Sequence, residues 1–159
     1  MMDLTSEEAA AVVGGRWLSP PPEGALRGVG IDSRESLDGF LFVAIRGERL
    51  DGHDFLADAF VHRARAALIE RPLAQTPGPC LLVPSTRAAL TALARHTREC
   101  FAGRAAAVTG SCGKTTTRRL IASILEQIGP TVQSPRSFNN DLGVPLTILA
   151  LRSHHRHLV

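Results

Sequence analysis

The residue types best suited to chemistry fall together at Thr109, Gly110, Ser111, Cys112, Gly113, Lys114 and Thr115. An apolar run, Ala105-Ala106-Ala107-Val108, breaks into this small-residue stretch and restarts as Thr116-Thr117-Arg118-Arg119-Leu120-Ile121. The pattern reads as strand, tight loop and helix. Loop amides converging on a helix N-terminus form an anion site, because unpaired N–H groups and the helix dipole both favour phosphate there. Gly110, Ser111, Cys112, Gly113, Lys114, Thr115 and Thr116 are thus the expected phosphate cradle. Lys114 is placed to reach β- and γ-phosphates, and the Thr115 hydroxyl to hold a bridging Mg2+. The usual pattern G-x-x-x-x-G-K-[ST] is incomplete here, since its first glycine falls on Val108. In compensation, Lys114 is the single lysine among 18 cationic side chains, and it stands where a compact ammonium suits phosphate. The plain alternative is a helix start in which glycine makes the turn and threonine caps the amides, with no ligand.

Such a loop needs a parallel sheet to carry it, and the chain has the material for one. With 44% hydrophobic and 21% charged residues in 159, it reads as globular, and as one domain or two small ones. The net charge of +3 does not point to nucleic acid, because the arginines are scattered and aromatic residues make up only 4%, with no Tyr. The acidic start through Asp3, Glu7 and Glu8 is unlike a secretory signal, and no apolar run approaches the ~20 residues of a membrane span. A cytoplasmic location without membrane insertion is expected. Cys80, Cys100 and Cys112 are odd in number and lack C-x-x-C spacing, which suggests neither a disulfide framework nor a zinc site.

Along the chain, Thr5 and Glu8 have capping-box spacing before an alanine-rich helix that should end at Gly14-Gly15. Val29 and Ile31 alternate with glycine, and Phe40-Leu41-Phe42-Val43-Ala44-Ile45 reads as a buried strand. A polar loop from Arg46 to Asp54 precedes a helix over residues 55–63, with Phe55, Leu56, Ala59 and Phe60 on one face. Ala66-Ala67-Leu68-Ile69 and Cys80-Leu81-Leu82-Val83 are further strands, completing an α/β domain over residues 1–84. A connecting helix capped by Ser85 or Thr86, with Leu90, Leu93, Thr97 and Phe101 at helical spacing, occupies residues 85–103. The phosphate-loop unit covers residues 104–159. Its first helix has Leu120, Ile121, Ile124, Leu125 and Ile128 on its apolar side, Thr131-Val132-Gln133 forms a strand, and a last helix opens at Leu142 and runs to about Leu151. After it the chain turns toward another strand, and this unit reads as the opening of a larger sheet.

Four motifs in fixed order now suggest a family. They are Asp32-Ser33-Arg34; Leu41-Phe42-Val43-Ala44-Ile45-Arg46-Gly47-Glu48-Arg49-Leu50-Asp51-Gly52-His53-Asp54-Phe55; Val108-Thr109-Gly110-Ser111-Cys112-Gly113-Lys114-Thr115-Thr116-Thr117; and Asn139-Asn140-Asp141-Leu142-Gly143-Val144-Pro145-Leu146-Thr147. Together they resemble the Mur ligases of peptidoglycan synthesis, and the resemblance covers nearly the whole chain. The loop Thr-Gly-Ser-x-Gly-Lys-Thr-Thr-Thr with Asn-Asn-x-x-Gly-Val-Pro is similar to the type that joins D-alanyl-D-alanine to UDP-N-acetylmuramoyl-tripeptide. The type adding a diamino acid, and a non-catalytic module binding UDP and ATP, remain open alternatives.

The resemblance implies an α/β fold in which a small UDP-sugar-binding domain is followed by the start of an ATP-binding P-loop sheet. It further implies an ATP- and Mg2+-dependent ligase acting through an acyl phosphate, with a monomer expected. Carried over by motif, Lys114 and Thr115 are catalytic, with Thr115 on Mg2+. Ser33, Arg34, Gly47, Asp51, Gly52 and His53 hold the UDP-sugar, and Asn139 and Asn140 line the muramoyl-peptide channel. Singly, each of these has a bland reading as a turn, a surface histidine or a loop; their order and spacing argue for the site. The family's acidic metal ligand and its groups for D-alanyl-D-alanine are expected beyond Val159. Arg63-Ala64-Arg65 departs from the family, which tends to have Gly-Ala at that point.

Overall fold

The computed structural model describes residues 3–134 and 141–159. Its first half is a five-stranded sheet ordered β1-β5-β4-β3-β2, in which β2 (Gly28–Gly30), β3 (Phe40–Val43), β4 (Ala66–Ile69) and β5 (Cys80–Leu82) run parallel and the edge strand β1 (Arg16–Trp17) runs antiparallel to β5. The register sets Val29 beside Leu41, Phe42 beside Ala67, and Leu68 beside Leu81. Both faces of β3 and β4 are covered, which is why their sequences are continuous apolar runs rather than alternating ones.

Strand alternation splits those runs between two cores. Leu41, Val43, Ala66, Leu68, Leu81 and Val83 point to one side, where they meet Ala9 of α1 (Ser6–Val13) and Ala89, Leu90, Leu93 and Ala94 of α3 (Thr86–Cys100). Phe42, Ala44, Ala67, Ile69 and Cys80 point to the other and pack on Leu56 and Ala59 of α2 (Leu56–Val61). The expected capping box is present, with Thr5 Oγ1 accepting from the Glu8 amide and the Glu8 carboxylate accepting from the Thr5 amide.

Local differences from the sequence reading have identifiable causes. The helix expected over residues 55–63 begins instead as a 3₁₀ turn, Gly52–Phe55, because the Asp51 carboxylate accepts from the His53 amide and winds the chain earlier. It ends at Val61, since Arg63 has φ +72°, a left-handed conformation costly for a residue with Cβ. Phe101, expected on the face of α3, lies past its end in extended backbone, with the Arg98 guanidinium 5.9 Å from its ring centre.

The second half is a three-stranded parallel sheet in the order β6-β8-β7, built from β6 (Arg104–Ala105), β7 (Thr131–Val132) and β8 (His157–Leu158). The closing strand therefore inserts between the other two. Helix α4 (Lys114–Glu126) follows β6, and α5 (Gly143–Leu149) precedes β8. The apolar stripe read on α4 exists but is only partly covered, with Ile121 and Leu125 half-buried and the other three residues exposed. Leu120, Ile124 and Ile128 are 59%, 66% and 61% exposed, while Ala122 alone on that helix is fully buried, because strands this short give the helix little to pack on. Helix α5 instead turns Leu149 into the core of the first half, with Leu146 and Ile148 packed against it, so α3 packs on both the first sheet and α5.

Candidate functional site

The loop expected to hold phosphate ends in the glycine turn that its sequence predicts. Gly113 caps α4 with φ +76°, a left-handed turn that only glycine adopts without strain, and no side chain caps the first turn of the helix. The backbone amides at the start of α4 are therefore left for a ligand. Residues 110–113 are exposed, and Lys114, half-buried, folds back so that its ammonium donates to the Gly110 carbonyl at 2.5 Å. That carbonyl parks the cation over the loop. Lys114 and Thr115 line a cleft of about 450 Å³ together with Val108, Ser134, Thr147 and Val159. The cleft gathers the carboxyl ends of β6 and β8, where open parallel sheets bind ligands. Thr116 is exposed.

The first-half residues also collect at strand carboxyl ends. Asp32-Ser33-Arg34 follows β2, and Arg34 returns on Asp32 through its amide (3.0 Å), Nε (2.9 Å) and Nη2 (2.6 Å). The Arg34 guanidinium holds the Asp32 carboxyl down at about 2, and Ser33 is buried beneath the turn. The loop after β3 is a tight hairpin in which the Gly47 amide donates to the Leu50 carbonyl and the Gly52 amide to the Ile45 carbonyl, each at 2.9 Å. Gly52 passes so close to the end of β3 that a Cβ would lie 2.7 Å from the Ile45 nitrogen and 2.9 Å from Ala44 Cα.

His53 is buried rather than displayed. The Glu70 amide donates to its Nε2 at 2.9 Å, which leaves the ring proton on Nδ1 to be donated to Asp51 Oδ1 at 2.6 Å. Both ring nitrogens are engaged inside the fold, so the expected direct contact with a ligand is replaced by a supporting role: the ring orients Asp51. The His53 amide and ring hold the Asp51 carboxyl below its ordinary range. Arg71 Nη2 approaches the outer oxygen of Asp51 at 3.5 Å. The Glu70 carboxylate in turn accepts from the Thr86 amide (2.6 Å) and hydroxyl (2.9 Å), tying the end of β4 to the start of α3.

Glu70, Arg71, Thr86 and Arg87 were not foreseen from sequence. The available signal was their position: each lies just after a parallel strand, on the same edge as the expected residues. Arg87 spans both halves of the chain, with Nη1 on Asp141 Oδ2 at 2.5 Å and Nη2 on the Arg46 carbonyl at 3.3 Å. Asn139 and Asn140 lie outside the described residues.

These features define an α/β protein of one mostly parallel and one parallel sheet, with a glycine turn at the head of a helix on the second and a polar loop cluster on the carboxyl edge of the first. Residues 108–159 match the Mur ligase middle domain, and residues 25–98 match the model described as Mur ligase family, catalytic domain. The chain belongs to the Mur ligase family. It is 42% identical over 134 residues to the UDP-N-acetylmuramoyl-tripeptide–D-alanyl-D-alanine ligase of Escherichia coli K12, an alignment covering 84% of this chain and 29% of that protein. A crystal structure of MurF from Acinetobacter baumannii superposes with a TM-score of 0.89 at 36% identity, over 99% of this chain and 35% of the other. MurF ligase from Thermotoga maritima in complex with ADP gives 0.72 at 35% identity, over 84% and 31%. The chain thus spans about a third of the length of these relatives. No helix among the described residues is long and apolar enough to cross a membrane.

Proposed function

We propose that this chain supplies the sugar-nucleotide-binding and phosphate-binding parts of an ATP-dependent ligase that joins D-alanyl-D-alanine to UDP-N-acetylmuramoyl-tripeptide. The observation that carries the proposal is the turn at Gly113, which leaves the first amides of α4 uncapped beside the chain's one lysine and a half-buried threonine at a cleft. The names of four relatives agree with the amine named, whereas none of those four names points to the two other readings, a diamino-acid-adding ligase and a non-catalytic module.

In this reading residues 110–116 hold the ATP phosphates, and bound Mg-ATP supplies the phosphoryl group that activates the substrate carboxylate. Lys114 leaves the Gly110 carbonyl and places its ammonium on the phosphate oxygens, where a fixed positive charge stabilises charge that develops on transfer. Thr115 offers its hydroxyl to Mg2+. On the first sheet, Arg34, and Asp51 on the loop that Gly47 and Gly52 shape, receive the uridine diphosphate end, Ser33 lies beneath the turn, and His53 keeps Asp51 aimed outward. The domain limits follow the same reading: residues 1–84 for the sugar nucleotide, 85–103 connecting, and 104–159 for ATP.

Calorimetric titration of the chain with Mg-ATP tests this. Lys114→Ala removes a charge-assisted contact worth ~1.5–3 kcal/mol, which corresponds to a loss of roughly ten- to 150-fold in affinity. Equal affinity in the two proteins would refute the phosphate-site assignment.

A further inference from the structure

We infer that Arg87 is a positioning residue that sets the distance between the two ends of the substrate site; this rests on the ligase reading above. One arm of its guanidinium holds the Arg46 carbonyl, at the base of the loop that carries Gly47 and Asp51. The other arm holds Asp141, which immediately precedes the first residues of α5. That helix faces two ways. Val144, Thr147 and Ile148 line the cleft of Lys114 and Thr115, while Leu149 is buried in the core formed by α3 and the first sheet. Arg87 and α5 therefore make a short mechanical link from the sugar-nucleotide loop to the phosphate loop.

Arginine suits this task because its planar fork presents donors to two acceptors at once, whereas an ammonium is a single point charge. The pair joins residues 54 apart in sequence, with side chains 43% and 65% exposed, so its contribution to stability is small. Its effect falls on geometry. A substrate anchored at its uridine end must present its far carboxylate in line with the transferring phosphoryl group, and small errors of placement there are costly.

The two arms can be cut separately. Calorimetry on the chain with UDP, and with UDP-N-acetylmuramoyl-tripeptide, distinguishes the outcomes. Asp141→Ala severs only the α5 arm. It should leave UDP affinity within about twofold of wild type while weakening the peptide-bearing nucleotide by up to about fivefold, the most an exposed ion pair can transmit. Asp141→Glu should recover part of that loss, and Arg87→Lys should weaken both ligands because it also frees the Arg46 carbonyl. Melting midpoints should shift by no more than about 4 °C, the scale of an exposed ion pair in a chain of this size. If Asp141→Ala weakens both ligands equally, or neither, Arg87 sets no spacing and the inference fails. If the unsubstituted chain binds neither ligand, the ligase reading falls and takes the inference with it.

Discussion

Gly52→Ala offers the sharpest test of how the loop after β3, proposed above to hold the sugar nucleotide, is built. The added Cβ would sit 2.7 Å from the Ile45 nitrogen, and 2.9 Å from both the Ala44 carbonyl carbon and Cα. None of these can move cheaply, because they are backbone atoms at the end of a central strand, held by the Ala44 amide on the Leu68 carbonyl at 3.0 Å and by the Gly52 amide on the Ile45 carbonyl at 2.9 Å. Overpacking of this kind costs ~1–3 kcal/mol, and the reduced entropy of an unfolded chain with alanine returns only ~0.4–1 kcal/mol. The net loss of ~0 to 2.6 kcal/mol lowers the melting midpoint by up to roughly 10 °C, with the centre of the range near 4 °C. Gly47→Ala is the matched control. Its Cβ meets only the Leu50 carbonyl oxygen at 3.3 Å, so its midpoint should stay near that of the parent. Thermal unfolding followed by circular dichroism reads both. Because Asp51 is carried on the displaced loop, Gly52→Ala should also weaken UDP binding at temperatures where it remains folded. Equal midpoints for Gly47→Ala and Gly52→Ala would refute the close approach of the loop to β3.

At Arg63 the left-handed φ of +72° costs a non-glycine residue ~1–2 kcal/mol, so Arg63→Gly should be more stable than Arg63→Ala by about 1 kcal/mol in urea unfolding. Both variants lose the Arg63–Asp38 contact at 3.3 Å, which cancels in the comparison; an alanine variant as stable as the glycine one would contradict the backbone described here. Acid unfolding has a predictable sign. Asp32 titrates at about 2 in the folded chain against 3.8 ordinarily, so its contribution is complete above about pH 4 and disappears as pH falls toward 2. Asp51 is shifted the same way. Asp32→Asn should therefore flatten the pH dependence of stability between pH 4 and 2, and an unchanged slope would mean that Arg34 does not hold the carboxylate.

Much of this molecule was legible in one dimension because its signals are local. The capping box at Thr5 and Glu8, the continuous apolar runs of β3 and β4, and the turn before Lys114 depend on neighbours in sequence. So does the departure at Arg63, where the glycine expected from the resemblance would suit the left-handed backbone that the structure contains. Periodicity also found the apolar stripe of α4, but could not say what lies against it; exposure of Leu120, Ile124 and Ile128 is a property of the short sheet beneath. The fate of His53 was equally out of reach, since a histidine after glycine looks the same whether it faces solvent or accepts the Glu70 amide. Backbone preferences and spacing were enough to place most elements, the glycine turn before Lys114 and the order of the motifs. Tertiary structure alone decided that β8 lies between β6 and β7, that His53 supports Asp51 from within, and that Arg87 joins Arg46 to Asp141. Apart from the short step from His53 to Asp51, those contacts join residues far apart in the chain, and their partners are chosen by how the first sheet and α5 pack around α3.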